Sequence, residues 1–263
     1  MSEFNKRLTL MDSAQVFHWA ETQNGFAALV NGRIMTDRDT DGFAARYFDK
    51  GRDYEALYAH LSAIPAVRKA AQACRGIRVL NQPPWEALVA FILSANNNVA
   101  RIRNLVRAVC EVYGTTETFE GATLYGFPSP KALADADENE LREKTKCGYR
   151  ARYLIETAQR VEEGFPLNEL RYMDAEDARK RLMTLPGVGG KVADCVLLFG
   201  CGHASAFPVD VWVERLMREW FCVEGSRERI RLAAREILGE QCGIIQQSLF
   251  HAARTGAIPL KKA

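Results

Sequence analysis

The sequence predicts an α+β protein, with a small antiparallel sheet near the N-terminus and helices after it. Two short apolar runs, Gly25–Val30 and Arg33–Thr36, flank Asn31-Gly32, the residue pair suited to a two-residue hairpin turn because both positions take positive φ. From Asp53 onward the apolar residues recur at helical spacing, beginning with Tyr54, Leu57, Tyr58, Leu61 and Ile64. No later stretch carries a comparable strand signal, and no repeat of solenoid period occurs. At 263 residues, 48% hydrophobic and 26% charged, the chain suits one or two globular domains. The expected boundary lies near residue 80, between a sheet domain with flanking helices (1–80) and a helical domain (81–263).

In chain order, Val16–Trp19 is expected to pair as a further strand of the sheet. Pro65 starts a helix reaching about Cys74, and Asn81–Pro84 interrupts the pattern. Trp85–Ala95 is apolar enough to be a core helix. The next helix buries Val99, Ile102, Leu105, Val106 and Val109 and turns Arg101, Arg103 and Arg107 outward, and Gly114 ends it. Residues 115–129 read as a loose connection, after which Ser129-Pro130 and Asp137 start two short helices. The densest basic stretch, Arg142–Arg152, has Tyr149 at its centre, and Gly148 as a helix terminator is expected to project Tyr149 and Arg150 from a turn. Ala151–Glu163 forms a helix stopped by Gly164, and Val211–Phe221, Arg227–Leu238 and Gly243–Thr255 are the last three.

Bulk properties exclude some classes of function. A formal net charge of +2 is too small to mark a polyanion binder, so any basic surface must come from local clustering. Seven scattered cysteines without a CxxC pair read as reduced thiols of a cytoplasmic protein. The longest apolar run, Ala87–Leu93, is too short for a bilayer, so no membrane role is expected. A monomer is expected.

The most informative stretch is LPGVGGKVADCVLLFGCGHASAFPVD, from Leu185 to Asp210. Asp174 is the expected N-cap of a helix running to about Thr184, and Pro186, Gly187, Gly189 and Gly190 break it. A second helix starts at Lys191 with an apolar, buried body, completing a helix-hairpin-helix over about 174–200. The free N–H groups and the positive dipole end of the second helix suit a phosphate, and glycines allow close approach. Both that dipole end and partial desolvation disfavour the ammonium form of Lys191, and a neutral amine is a nucleophile. Asp210 reads as the N-cap of the following helix, a carboxylate able to stabilise positive charge. Taken singly, these residues also describe an ordinary turn, a surface lysine and a cap.

Taken together, LPGVGGKVADC and FPVD resemble the signature of the helix-hairpin-helix (HhH-GPD) DNA glycosylases, in particular the lysine-bearing 8-oxoguanine branch. The alkylated-base branch lacks the lysine, and the iron–sulfur branch carries four close cysteines where this chain has only Cys222 and Cys242. The resemblance implies a two-lobed helical region around a DNA cleft. It also implies excision of a damaged base from duplex DNA, with no metal or organic cofactor. Lys191 would attack the sugar C1′ and Asp210 would assist, while Gly187, Gly189 and Gly190 would form the phosphate-binding hairpin.

Three further segments carry the likeness. In Ser94–Ile102 the triple asparagine resembles the segment whose asparagine (Asn96) and arginine (Arg101) address the cytosine left opposite the lesion. CGYRARY resembles the one supplying a wedge tyrosine (Tyr149) and a second cytosine-reading arginine (Arg150). GIIQQSLFHA resembles the helix whose glutamine (Gln246) bonds the extruded base and whose phenylalanine (Phe250) stacks on it, with Cys195 on the opposite face. Two positions depart from the family pattern. Trp212 stands where eukaryotic members have a histidine, and Ala14 stands where a glycine carbonyl reads the N7–H of the lesion. Alanine carries the same carbonyl, and the expectation is a φ at residue 14 that tolerates a Cβ. Other readings are excision of a different damaged base, or a non-catalytic helix-hairpin-helix protein that only binds DNA.

Overall fold

The computed structural model describes residues 4–258 and 260. Its N-terminal sheet has the order β1 (Ala20–Thr22), β2 (Gly25–Val30), β3 (Arg33–Thr36), all antiparallel. Asn31 and Gly32 take φ of 50° and 75°, the two positive values of the expected turn, and Val30 pairs with Arg33. Alternation along β2 buries both faces. Ala28 and Val30 pack with Leu10, Val16, Trp19, Tyr47 and Phe48, whereas Ala27 and Leu29 pack with Leu124.

That second face is covered by a hairpin where a loose connection over residues 115–129 is expected. β4 (Thr116–Phe119) and β5 (Ala122–Tyr125) form a hairpin that covers the sheet, turning at Glu120-Gly121 with φ of 44° and 76°. Glu120 ties it down by accepting from Thr22 Oγ1 at 2.9 Å and from Arg38 at 2.7 Å. Val16–Trp19 corrects the expectation in the other direction. It is not a strand, because it runs between two cores, with Val16 and Trp19 on the sheet side and Phe17 in the main helical core. The sheet's outer strand begins just after it, at Ala20.

Helices follow close to the expected positions. They are α1 (Gly42–Tyr47), which the sequence reading did not propose, α2 (Tyr54–Ala63), α3 (Arg68–Ala73, after a short 3₁₀ turn at Pro65–Val67), α4 (Pro84–Leu93) and α5 (Val99–Tyr113). Next come α6 (Pro130–Ala134), α7 (Glu138–Thr145), α8 (Arg150–Glu162), α9 (Ala175–Leu182) and α10 (Gly190–Val196, prolonged by a π turn at Leu197–Cys201). The chain ends with α11 (Val211–Phe221), α12 (Arg227–Leu238) and α13 (Cys242–Thr255). Asp53, Ser129, Asp137, Asp174 and Asp210 all cap helices with their side chains.

α4 is buried along nearly its whole length and carries α5, α8 and α10 against it. Residues 54–74, before the expected boundary near 80, belong to this same core: α3 packs on α13, and Cys74 Sγ donates to Ser248 O at 3.1 Å. Among the described residues no helix is long and apolar enough to cross a membrane.

One charged residue of α4 is out of place in this core. Glu86 is 3% exposed, accepts from Asn31 N at 2.6 Å and faces His18 Nε2 at 3.7 Å. Burial pushes the Glu86 carboxyl up to about 8 and the His18 imidazole down to about 4. Between about pH 4.5 and 6.5 the folded pair and the unfolded chain each hold one proton, so stability is level. From 6.5 to 8 only the folded pair keeps it, so stability falls as pH rises. Urea unfolding should show a loss on the order of 1–2 kcal/mol across that window from this pair, which Glu86→Gln removes.

Candidate active site

α9, the turn at residues 183–189 and α10 form the expected helix-hairpin-helix. Gly187 takes φ of 75°, and a Cβ there would lie 2.7 Å from the Tyr153 ring, so both conformation and space select glycine. Gly189 is the N-cap of α10 and, lacking a side chain, leaves the first-turn N–H groups without a side-chain acceptor. Lys191 sits in that first turn. Because α10 packs on α4, its Nζ reaches the C-cap residue of α4 and donates to Ser94 Oγ at 2.9 Å, and it lies 5.3 Å from the centre of the Phe91 ring. The Ser94 hydroxyl gives its own proton to Phe91 O at 2.7 Å, so towards Lys191 it can only accept.

Across a cavity of about 870 Å³ stands Asp210, which lines it together with Lys191. Its Oδ1 accepts from Trp212 N at 3.0 Å and Val213 N at 2.9 Å, which fixes the carboxylate at the start of α11. The approach to Asp210 is held by a close backbone contact. α13 lies so near the 204–208 segment that a Cβ on Gly243 would fall 2.1 Å from Ala206 O, and Gln246 Nε2 donates to Pro208 O at 3.1 Å.

Of the four residues assigned to a base pocket, Ala14 and Phe250 line the cavity. Cys195 and Gln246 lie behind its wall, 3% and 4% exposed. Cys195 is one turn beyond Lys191 on α10, and burial pushes its thiol up to about 12 against the pull of the lysine. Gln246 Oε1 is buried with no hydrogen-bond partner among the described residues. Ala14 overturns the expectation for its backbone: φ is 61°, in the left-handed region that disfavours a Cβ, at a cost of about 1–2 kcal/mol. The glycine-type conformation persists although glycine is absent.

The three asparagines divide their work. Asn98 caps α5 by accepting from Arg101 N at 2.9 Å, and Asn97 Nδ2 donates to Leu93 O at 2.8 Å. Asn96, exposed and at φ 50°, instead turns towards Tyr149 Oη at 3.5 Å. Tyr149 projects as expected, 48% exposed, and Arg101 is exposed. Arg150 does not project and corrects the reading. It is 4% exposed, because its guanidinium turns inward to Ala95 O, Cys147 O and Asn96 O and stacks 4.4 Å from the Tyr149 ring centre. Gly148, at φ 64°, frees the tyrosine, while the free carbonyls at the end of α4 attract the arginine.

Known proteins match this arrangement. Residues 34–88 match the N-terminal domain of 8-oxoguanine DNA glycosylase, and residues 89–240 match the HhH-GPD superfamily of base excision DNA repair proteins. The chain belongs to the HhH-GPD superfamily. A probable N-glycosylase/DNA lyase of Methanothermobacter thermautotrophicus is 34% identical over 80% of this chain and 74% of its own. The N-glycosylase/DNA lyase of Saccharomyces cerevisiae is 36% identical over 60% of this chain, which spans only 45% of that protein. Among solved structures, the 8-oxoguanine glycosylase/lyase of Clostridium acetobutylicum, in complex with double-stranded DNA containing cytosine opposite 8-oxoG, superposes with a TM-score of 0.89. It is 30% identical and covers 98% of this chain and 94% of its own.

The sequence reading of this HhH-GPD protein passed over several residues of the site. Ser94 had no local signal, since it meets Lys191 across 97 positions. Arg179 and Asp194 line the cavity as an ion pair of 2.9 Å that joins α9 to α10, and Arg179 reaches Glu228 of α12 at 3.0 Å. Burial outweighs the arginine and raises the Asp194 carboxyl to about 7. The charges of α9 are plain in the sequence, but the partners of Arg179 come from α10 and α12.

Proposed function

We propose that this protein excises 8-oxoguanine from duplex DNA, preferring cytosine opposite, and then cuts the strand as a lyase. The observation that carries the reading is that the Lys191 amine and the Asp210 carboxylate line one cavity with Phe250, which is roomy enough for an extruded base. The named activities of its HhH-GPD relatives support it.

Lys191 Nζ bonds to C1′ as the bond from C1′ to N9 breaks and its electron pair leaves with the base, which takes up a proton. Asp210 stabilises the positive sugar that develops between these events. Loss of one proton from the new secondary ammonium, then cleavage of the C1′–O4′ bond with a proton taken up by O4′, gives the ring-opened iminium. Removal of a C2′ proton then expels the 3′ phosphate by β-elimination. The uncapped first turn of α10 offers N–H groups to a backbone phosphate, Phe250 stacks on the base, and Gln246 bonds its edge. Tyr149 and Asn96, adjacent at the surface, fill the gap in the duplex.

Arg101 supplies donors for the O2 and N3 acceptors of the unpaired cytosine, while Arg150, turned inward, holds the segment that carries Asn96 and Tyr149. Excision measured opposite all four bases should therefore favour cytosine, and equal rates would remove this part of the reading. Arg101→Ala, at an exposed position, should lower the preference by about 1–3 kcal/mol with the fold intact. Arg150→Ala should destabilise the protein, because it strips the carbonyls of Ala95, Asn96 and the buried Cys147 of their donor.

A further inference from the structure

Ala14 lines the cavity with a backbone that works against its own side chain, and the segment around it is held by an unusual set of buried amides. Gln247 Nε2, from α13, donates to Ser13 O at 2.7 Å. Gln15 Nε2 donates to Ser13 Oγ at 2.9 Å and to Arg78 O at 2.9 Å, while its Oε1 accepts from Leu80 N at 2.8 Å. Gln82 Nε2 donates to Gln15 O at 2.8 Å, and Ser13 Oγ gives its proton to Thr9 O at 2.6 Å. Ser13 and Gln15 are 0% exposed, Gln82 and Gln247 2%.

The carbonyl of Ser13 belongs to the peptide plane immediately before Ala14, so fixing that oxygen fixes the rotation about φ of residue 14. On the other side of Ala14, the Gln15 side chain and carbonyl are held by four hydrogen bonds, which anchor the residue that follows it. An alanine released from both would relax towards negative φ, since the left-handed well is the less stable one for a residue with a Cβ.

We infer that Gln247, acting with Gln15 and Gln82, is a positioning residue for lesion discrimination, clamping Ala14 in the left-handed conformation from which its carbonyl meets the base. The inference rests on the reading of 8-oxoguanine as substrate. Oxidation at C8 turns N7 from an acceptor into a donor, so a carbonyl held at N7 bonds the lesion and repels guanine. Without the clamp that carbonyl swings away, and both bases are bound alike.

The test is the ratio of affinities of the Lys191→Gln protein for matched duplexes carrying 8-oxoguanine or guanine opposite cytosine. Adding Gln247→Leu should lower the ratio on the order of tenfold, the size of one buried hydrogen bond to a charged or polar partner. Adding Ala14→Gly as well should restore it, because glycine takes positive φ without a clamp. Rescue of a ratio by removing a methyl group is not what a merely structural role for Gln247 produces. Should Gln247→Leu fail to fold, Gln247→Asn, polar but one methylene too short, is read in the same way. A parent that discriminates while the Gln247 variant discriminates equally, or a loss that Ala14→Gly does not restore, overturns the clamp alone. A parent without any preference overturns the 8-oxoguanine reading, and the clamp with it.

Discussion

Lys191→Gln is expected to lose excision and borohydride-trapped protein–DNA adduct together, while still binding the damaged duplex. The amide lacks a nucleophilic lone pair, and the side chain, one atom shorter, stays polar beside Ser94 Oγ, which Lys191 meets at 2.9 Å, so the wall of the cavity changes little. A lost nucleophile costs about four orders of magnitude or more in single-turnover rate, since what remains is binding and electrostatic assistance alone. Binding measured by titration should change little, because the backbone contacts proposed for the hairpin do not involve the amine. An adduct formed by Lys191→Gln at the parent's rate would take the covalent role away from this residue.

Asp210→Asn should be nearly as damaging through a different cause. Asparagine caps helices about as well as aspartate, and its amide oxygen can accept from Trp212 N and Val213 N as Asp210 does, so thermal unfolding should barely move. What disappears is the negative charge facing the cavity. If a positive sugar develops there, excision should slow by about 10²–10³-fold with substrate affinity retained. Parent-like rates from a folded Asp210→Asn protein would show that the side chain serves only as a cap.

Local rules made most of the fold legible. The Asn31-Gly32 hairpin, the side-chain caps at Asp53, Ser129, Asp137, Asp174 and Asp210 and the glycine-broken hairpin before Lys191 each depend on residues adjacent in sequence. The second hairpin escaped because its turn is Glu120-Gly121, with a residue in the left-handed region that is rarely chosen for it. Val16–Trp19 is apolar enough for a strand beside the hairpin, but its side chains are divided between two cores, which needs no partner strand.

For the site, Lys191 and Asp210 were legible as a first turn and a cap, and the structure adds that they share a cavity. Ser94, Gln247 and the inward turn of Arg150 were hidden, since each is decided by a carbonyl or hydroxyl brought in from a distant element. The alanine at position 14 showed that a conformation can outlast the residue type that makes it easy.

The contact between Cys74 and Ser248 joins parts of the chain 174 residues apart, and α3 rests on α13 throughout. A ribosome therefore releases the N-terminal helices long before the surface that buries them exists. Until α13 emerges, the apolar faces of α2 and α3 stand in water, available to chaperones or to other nascent chains. The last helix thus closes the core at both ends of the polypeptide, and in the same step brings Phe250 to the cavity and Gln247 to Ser13. Assembly of the base pocket therefore waits on α13, so a chain arrested before it has neither a finished core nor a site in which to expose a reactive amine to DNA.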